Sequence, residues 1–244
     1  MQRKTLYSLG LSLVLFVGCR TAYHLKQEST SPNQSVSEGL ADDPALQTVI
    51  APYKEKVDAK MNRVLAYSPI DLTKEGFNSP LANLSCDLVL EESQRVFKKP
   101  IDMCMLNHGG LRRNFSKGDL TVRNVYELMS FENQAVVVTL KGSDVLKIID
   151  YCKQYKKGEP ISNALITITD GKGTILIGGK PVDANKEYTI VTNDYLQKGG
   201  DKMTFFANPI KVENVGMTQR DLMLQYFERI DTVRVNTSER LIIQ

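Results

Sequence analysis

An apolar strand from Met103 to Leu106 runs straight into the polar turn Asn107-His108-Gly109-Gly110, and this junction constrains the fold more than any other stretch. Paired glycines let backbone N–H groups approach a ligand with no side chain in the way, which gives the turn the character of an anion cradle. Arg112 follows two residues after the glycines, where a planar guanidinium can grip a phosphate or carboxylate at two points.

With 42% apolar side chains over 244 residues, the chain can bury a substantial core, and its length suits one domain with or without a tethered arm. Its 31 basic and 28 acidic groups leave a net charge of only +3. There is no basic run and no aromatic-interleaved patch, so nothing electrostatic points to nucleic acid. A small ligand remains open.

Residues 1–18 carry the three parts of an export signal: Arg3 and Lys4, an apolar run from Leu6 to Val17, and Gly18 before the break. The run is too short to span a bilayer. Phe16-Val17-Gly18-Cys19 resembles a bacterial lipobox with Phe in place of the usual leading Leu. Cys19 is therefore expected to be lipidated and to anchor the protein in the cell envelope, in the periplasm or at the outer membrane. The rival reading is an ordinary secreted protein cut nearby. Residues 19–42, rich in Ser, Glu, Asn and Pro, read as a flexible tether, and 43–244 as the folded domain.

Cys86, Cys104 and Cys152 then remain, on a helical pattern, in an apolar strand and near a helix end. Three cysteines cannot all pair internally, and the expectation is that they are small buried hydrophobes. Cys104 and His108 have a C-x3-H spacing, but a strand followed by a turn does not present both on one face, and no second ligand pair exists.

Along the domain, apolar residues from Leu46 to Leu65 recur at mostly three- and four-residue steps and predict a long amphipathic helix from Pro44 to about Ser68. A second helix should open at Pro80 and stop at Lys98-Lys99-Pro100. Thr121 can cap a short helix, Ala135 to Leu140 reads as a strand, and Val145 to Tyr155 as a helix. Ala164 to Thr169 and Thr174 to Ile177 form a hairpin about Asp170-Gly171. Strands are expected at Tyr188 to Thr192, Ile210 to Val215, Thr232 to Val235 and Arg240 to Ile243, with a helix from Gln219 to Arg229. Helices and hairpins without regular alternation predict α+β with mixed sheets.

In order along the chain stand Leu81-Ala82-Asn83-Leu84, Leu106-Asn107-His108-Gly109-Gly110-Leu111-Arg112, Gly118-Asp119-Leu120-Thr121, Ser130-Phe131-Glu132-Asn133, Leu140-Lys141-Gly142-Ser143 and Asn193 to Asp201. With these six pieces, the stretch from about Leu46 to Gln244 resembles the C-terminal, substrate-binding domain of the 5′-nucleotidase and UDP-sugar hydrolase family. The resemblance implies an α/β/β/α layered fold. It further implies a nucleobase between Phe131 and Tyr195, an amide from Asn133 at the base edge, Asp201 on the ribose hydroxyls, and Asn107 with Arg112 at the phosphate. No arginine lies between Arg63 and Arg95, where the family places another phosphate ligand, so the implied anion grip is weaker.

Hydrolysis in that family belongs to a separate metallophosphatase domain with two divalent metals. This chain holds two histidines, His24 and His108, neither in such a motif. No cofactor is expected on the chain, no residue is expected to be catalytic, and it should be inactive alone. The implied role is the nucleotide- or nucleoside-binding half of a hydrolase that works with a separately encoded metallophosphatase. The alternative is an envelope lipoprotein that binds nucleotides or nucleosides and hydrolyses nothing.

Overall fold

The computed structural model describes residues 33, 35 and 41–244, so the export signal, Cys19 and most of the tether lie outside the described residues. Residues 1–47 and 48–244 separate into two units. In the first, Asp43 starts a helix by accepting a hydrogen bond from the Ala45 amide at 2.8 Å.

In chain order the elements are α1 (Pro44–Met61), β1 (Val64–Ser68), α2 (Pro80–Phe97), β2 (Met103–Met105), β3 (Gly118–Thr121), α3 (Val122–Leu128), β4 (Gln134–Lys141), α4 (Lys147–Tyr155), β5 (Ile161–Ser162), β6 (Ala164–Thr169), β7 (Lys172–Ile177), β8 (Lys180–Pro181), β9 (Glu187–Asn193), β10 (Lys211–Thr218), α5 (Gln219–Glu228) and β11 (Leu241–Ile243). The central sheet runs β10-β4-β9-β2-β5. Within it β2 is parallel to β9 and the other pairs are antiparallel. A second sheet, β11-β6-β7-β8, joins β11 to β6 in parallel, and β1 with β3 makes a two-stranded ribbon.

Side-chain alternation divides the core. From β4, Ala135 and Val137 enter one apolar cluster, and Val136, Val138 and Leu140 enter another. The same split puts Cys104 and Val191 on the first side and Met103, Met105 and Ile190 on the second. Leu84 and Leu88 of α2 and Leu222 and Phe227 of α5 cover the first face. Ile148 and Cys152 of α4, with Ile166, Ile168, Ile175 and Ile177 of the hairpin, cover the second. Each large apolar side chain withdrawn from water here contributes about 1.5–3 kcal/mol. The ends of β2, β4 and β9 are thereby held in one frame.

Local chemistry sets the boundaries. Ser79 accepts from the Ala82 amide at 3.1 Å with Pro80 in the first helical position, and Lys98 closes α2 in the left-handed region at φ 56°. Thr121 and Asn124 form a reciprocal capping box on α3. Asp170 and Gly171 turn the hairpin with φ of 50° and 73°, the twist that matches its strands.

The predicted α+β class with mixed sheets is what forms, but several segments differ. The first helix stops at Met61, and Val64–Ser68 pairs with Gly118–Thr121, a strand the sequence reading lacked. The residues Leu65 to Ser68 alternate towards and away from the core, and pairing overrides the helical period. Among the described residues nothing covers the apolar side of α1: Leu46, Val49, Ile50, Tyr53 and Val57 are all exposed. The helix expected from Val145 to Tyr155 forms as α4 from Lys147 to Tyr155, preceded by a separate helical turn, Gly142–Val145. Thr232 to Val235 is no strand; it contributes a single bridge from Thr232 to Tyr67.

Candidate functional site

Strand β2 ends in the core and passes through Leu106 to Asn107, whose side chain folds back over the turn that follows. That turn, His108–Gly110, is one turn of 3-10 helix. A Cβ on Gly110 would lie 2.9 Å from Asn107 Oδ1, and one on Gly109 would lie 3.4 Å from Asp201 Oδ2. Gly110 therefore makes room for the Asn107 side chain, while a Cβ on Gly109 would meet Asp201 at ordinary contact distance. The glycines do not supply a row of open amides as the sequence suggests, because His108 N–H donates to Glu159, Gly110 N–H to Asn107 O and Leu111 N–H to His108 O.

Two large rings stand in the open against the general rule that such groups are covered: Phe131 is 56% exposed and Tyr195 is 46% exposed. Phe131 lies on the loop into β4. Tyr195 lies on the helical turn after β9, which Asn193 caps by accepting from the Leu196 amide at 2.8 Å. One side of the Tyr195 ring rests on Gly200, where a Cβ would come within 2.5–2.7 Å of three ring carbons. The carboxylate of Asp201 is held at both oxygens: Tyr195 Oη donates to Oδ1 at 2.9 Å and Asn107 Nδ2 to Oδ2 at 2.6 Å. Asp201 reciprocates through its own amide to Tyr195 Oη at 3.1 Å, in a left-handed backbone conformation at φ 49°.

Asn107, Arg112, Phe131, Asn133, Tyr195 and Asp201 all line one cavity of about 340 Å³ with Gly109 and Gly110. That volume lies in the range of small-molecule sites, about 300–1,000 Å³. Arg112 is exposed at its edge, donating to Gly109 O at 3.2 Å, with its guanidinium 5.8 Å from the Phe131 ring centre. The cavity thus combines two apolar ring faces, a carboxylate, two amides and a cation.

A second layer escaped the sequence reading. Glu159 is 3% exposed, and its two oxygens accept from His108 N–H and from Tyr151 O–H at 2.7 Å. Burial and the Glu159 carboxylate push the Tyr151 hydroxyl well above its ordinary range. On the other side, Gln219 N–H donates to Asn133 O at 3.0 Å, and the Arg220 guanidinium donates to Met129 O at 3.3 Å and pairs with Glu132 at 3.0 Å. Arg220 thereby clasps the loop carrying Phe131. The faint sequence signal for Glu159 was a carboxylate between Gly158 and Pro160, directly before an apolar strand.

The ring nitrogen Nε2 of His108 faces Lys74 O at 3.0 Å. Among the described residues, no group of three His, Cys, Asp or Glu side chains is placed to hold a metal ion. Also among the described residues, no helix is long and apolar enough to cross a membrane.

Residues 59–208 match the model of the 5′-nucleotidase C-terminal domain. Protein UshA of Yersinia enterocolitica is 27% identical over 213 residues, covering 84% of this chain and 38% of the relative. A 5′-nucleotidase of Vibrio cholerae is 22% identical over 204 residues, covering 81% and 36%. The chain thus spans less than two-fifths of the length of either relative. Among solved structures, a 5′-nucleotidase precursor from Thermus thermophilus superposes with a TM-score of 0.70 at 22% identity, over 81% of this chain and 42% of that one. The Haemophilus influenzae NAD nucleotidase gives 0.62 at 15% identity, over 83% and 42%. From the match of more than half its length to that domain model, the chain belongs to the 5′-nucleotidase C-terminal domain family.

Proposed function

We propose that this domain binds a nucleotide or nucleoside, with the base between Phe131 and Tyr195, the ribose hydroxyls on Asp201, and the first phosphate at Asn107 and Arg112. The observation that carries the reading is convergence: six residues from three separate segments line one cavity, each with the chemistry its part of a nucleotide needs. Ring faces recognise any base, at about 1–3 kcal/mol per stacked ring. Asp201 accepts from hydroxyls. Arg112 offers a charge-assisted contact worth roughly 1.5–3 kcal/mol to a phosphate and nothing to an uncharged nucleoside.

In this reading the domain is the substrate-holding half of a 5′-nucleotidase-type hydrolase. The two divalent metals and the attacking water are assigned to a metallophosphatase partner, a role for which the two histidines of this sequence offer no ligand set. A lipid on Cys19 places it at the envelope, with residues 19–42 as its tether.

The test is calorimetric titration of adenosine and AMP into the parent and the Arg112→Ala variant. Loss of the guanidinium should weaken AMP by roughly 10- to 150-fold and leave adenosine unchanged. No binding of either ligand by the parent, or equal losses for both ligands, refutes the placement.

A further inference from the structure

Two sulfur atoms meet behind the site. Cys86 projects from α2 and Cys104 from β2, both are fully buried, and their Sγ atoms lie 2.7 Å apart. Cys152, also buried, belongs to the cluster on the opposite face of the central sheet, so among the described residues no third thiol competes for either partner. The gap exceeds an ordinary S–S bond of about 2.04 Å by well under 1 Å.

We infer that Cys86 and Cys104 form a disulfide that ties helix α2 to strand β2 immediately before the Asn107 turn. The oxidant is a disulfide of another molecule, of the class of oxidised glutathione or a dithiol oxidase. One cysteine thiolate attacks the oxidant's S–S bond and expels one thiolate, giving a mixed disulfide. The second cysteine attacks the protein sulfur of that mixed bond and expels the other. The two protons from the cysteines end on the two released thiols, the oxidant gains two electrons, and the protein loses two.

Timing follows from burial. In the closed core, desolvation and the neighbouring thiol push the Cys86 thiol well above its usual range, so the reactive thiolate is suppressed once the chain has folded. The bond forms while the chain is still folding and is then shielded from reductant. Its effect falls on the site's frame: the 18-residue span from helix to strand becomes a closed loop, and β2, which delivers Asn107, can no longer separate from α2. This inference stands independently of the ligand.

The experiment refolds the reduced, denatured full chain in a glutathione redox buffer, quenches exchange with acid, blocks remaining thiols with iodoacetamide in denaturant, and maps peptides by mass spectrometry without reduction. The expected product joins the Cys86 peptide to the Cys104 peptide and leaves Cys152 alkylated. Alkylation of both Cys86 and Cys104, or a link from either to Cys152 or Cys19, overturns the inference. In parallel, the parent refolded with reductant should melt about 5–15 °C below the oxidised form. The Cys86→Ala/Cys104→Ala variant, where it folds, should melt identically in both buffers. A parent whose melting temperature ignores the redox buffer contradicts the tie, whether or not the variant folds.

Discussion

Replacing Gly200 with Ala tests how the Tyr195 ring is seated. The added methyl carbon would lie 2.5, 2.6 and 2.7 Å from Cε1, Cζ and Cδ1 of the ring, well inside van der Waals contact. Something must move, and the ring is the cheapest element to move because it is 46% exposed. Swinging it out breaks its hydrogen bonds with Asp201, each worth about 0.5–1.5 kcal/mol net and largely replaced by water at an exposed position. Folding stability should therefore fall by no more than about 1 kcal/mol. Affinity should fall further, because a displaced ring no longer stacks on a base. A loss of about 1–3 kcal/mol corresponds to roughly 5- to 150-fold weaker adenosine binding. The assay is calorimetry on a double-mutant cycle with Tyr195→Ala. Without the ring, the three closest contacts of the new methyl group are gone, so Gly200→Ala should cost less than about 0.5 kcal/mol in that background. An equal penalty in both backgrounds would refute the seating and assign Gly200 some other duty.

Three further outcomes follow from the same structure. Glu159→Leu strands the buried Tyr151 hydroxyl and the part-buried His108 amide and should destabilise the domain by roughly 1–3 kcal/mol for the first and less for the second in denaturant titration, whereas an unchanged midpoint would contradict the pairing. Burial pushes the Cys152 thiol from its ordinary 9.0 up to about 12. The unfolded chain therefore releases this proton first, and the thiol's contribution to stability, complete below pH 9, should drain away as pH rises towards 12. Cys152→Ala should lessen that alkaline decline, and an unaltered slope between those limits would count against it. Finally, metabolic labelling with a fatty-acid analogue should tag the parent but not Cys19→Ala; equal labelling of both rejects the anchor.

What could be read from the sequence was whatever is decided within a few residues. Ser79-Pro80, Thr121 with Asn124, and Asp170-Gly171 announce a cap, a capping box and a hairpin turn by chemistry that acts over one turn of chain. The cavity was legible for a different reason. Its six residues sit in short motifs whose order matches a known domain, and the fold then brings them together from segments as far apart as Asn107 and Asp201. Pairing partners were not legible: Val64–Ser68 carries residues acceptable to a helix, and only its ladder with Gly118–Thr121 makes it a strand. Nor does any local pattern say that His108 would spend its amide on Glu159, or that Arg220 would reach back to Met129. Both contacts are long-range, and each uses a charged residue of a kind usually read as solvated surface.

A crystal structure of the full chain grown with AMP shows whether a nucleotide occupies the cavity between Phe131 and Tyr195. The adenine should lie between the two rings, with the ribose hydroxyls on Asp201 and the phosphate against Asn107 and Arg112. AMP bound elsewhere, or an empty cavity at ligand concentrations that saturate the protein in solution, would contradict this placement.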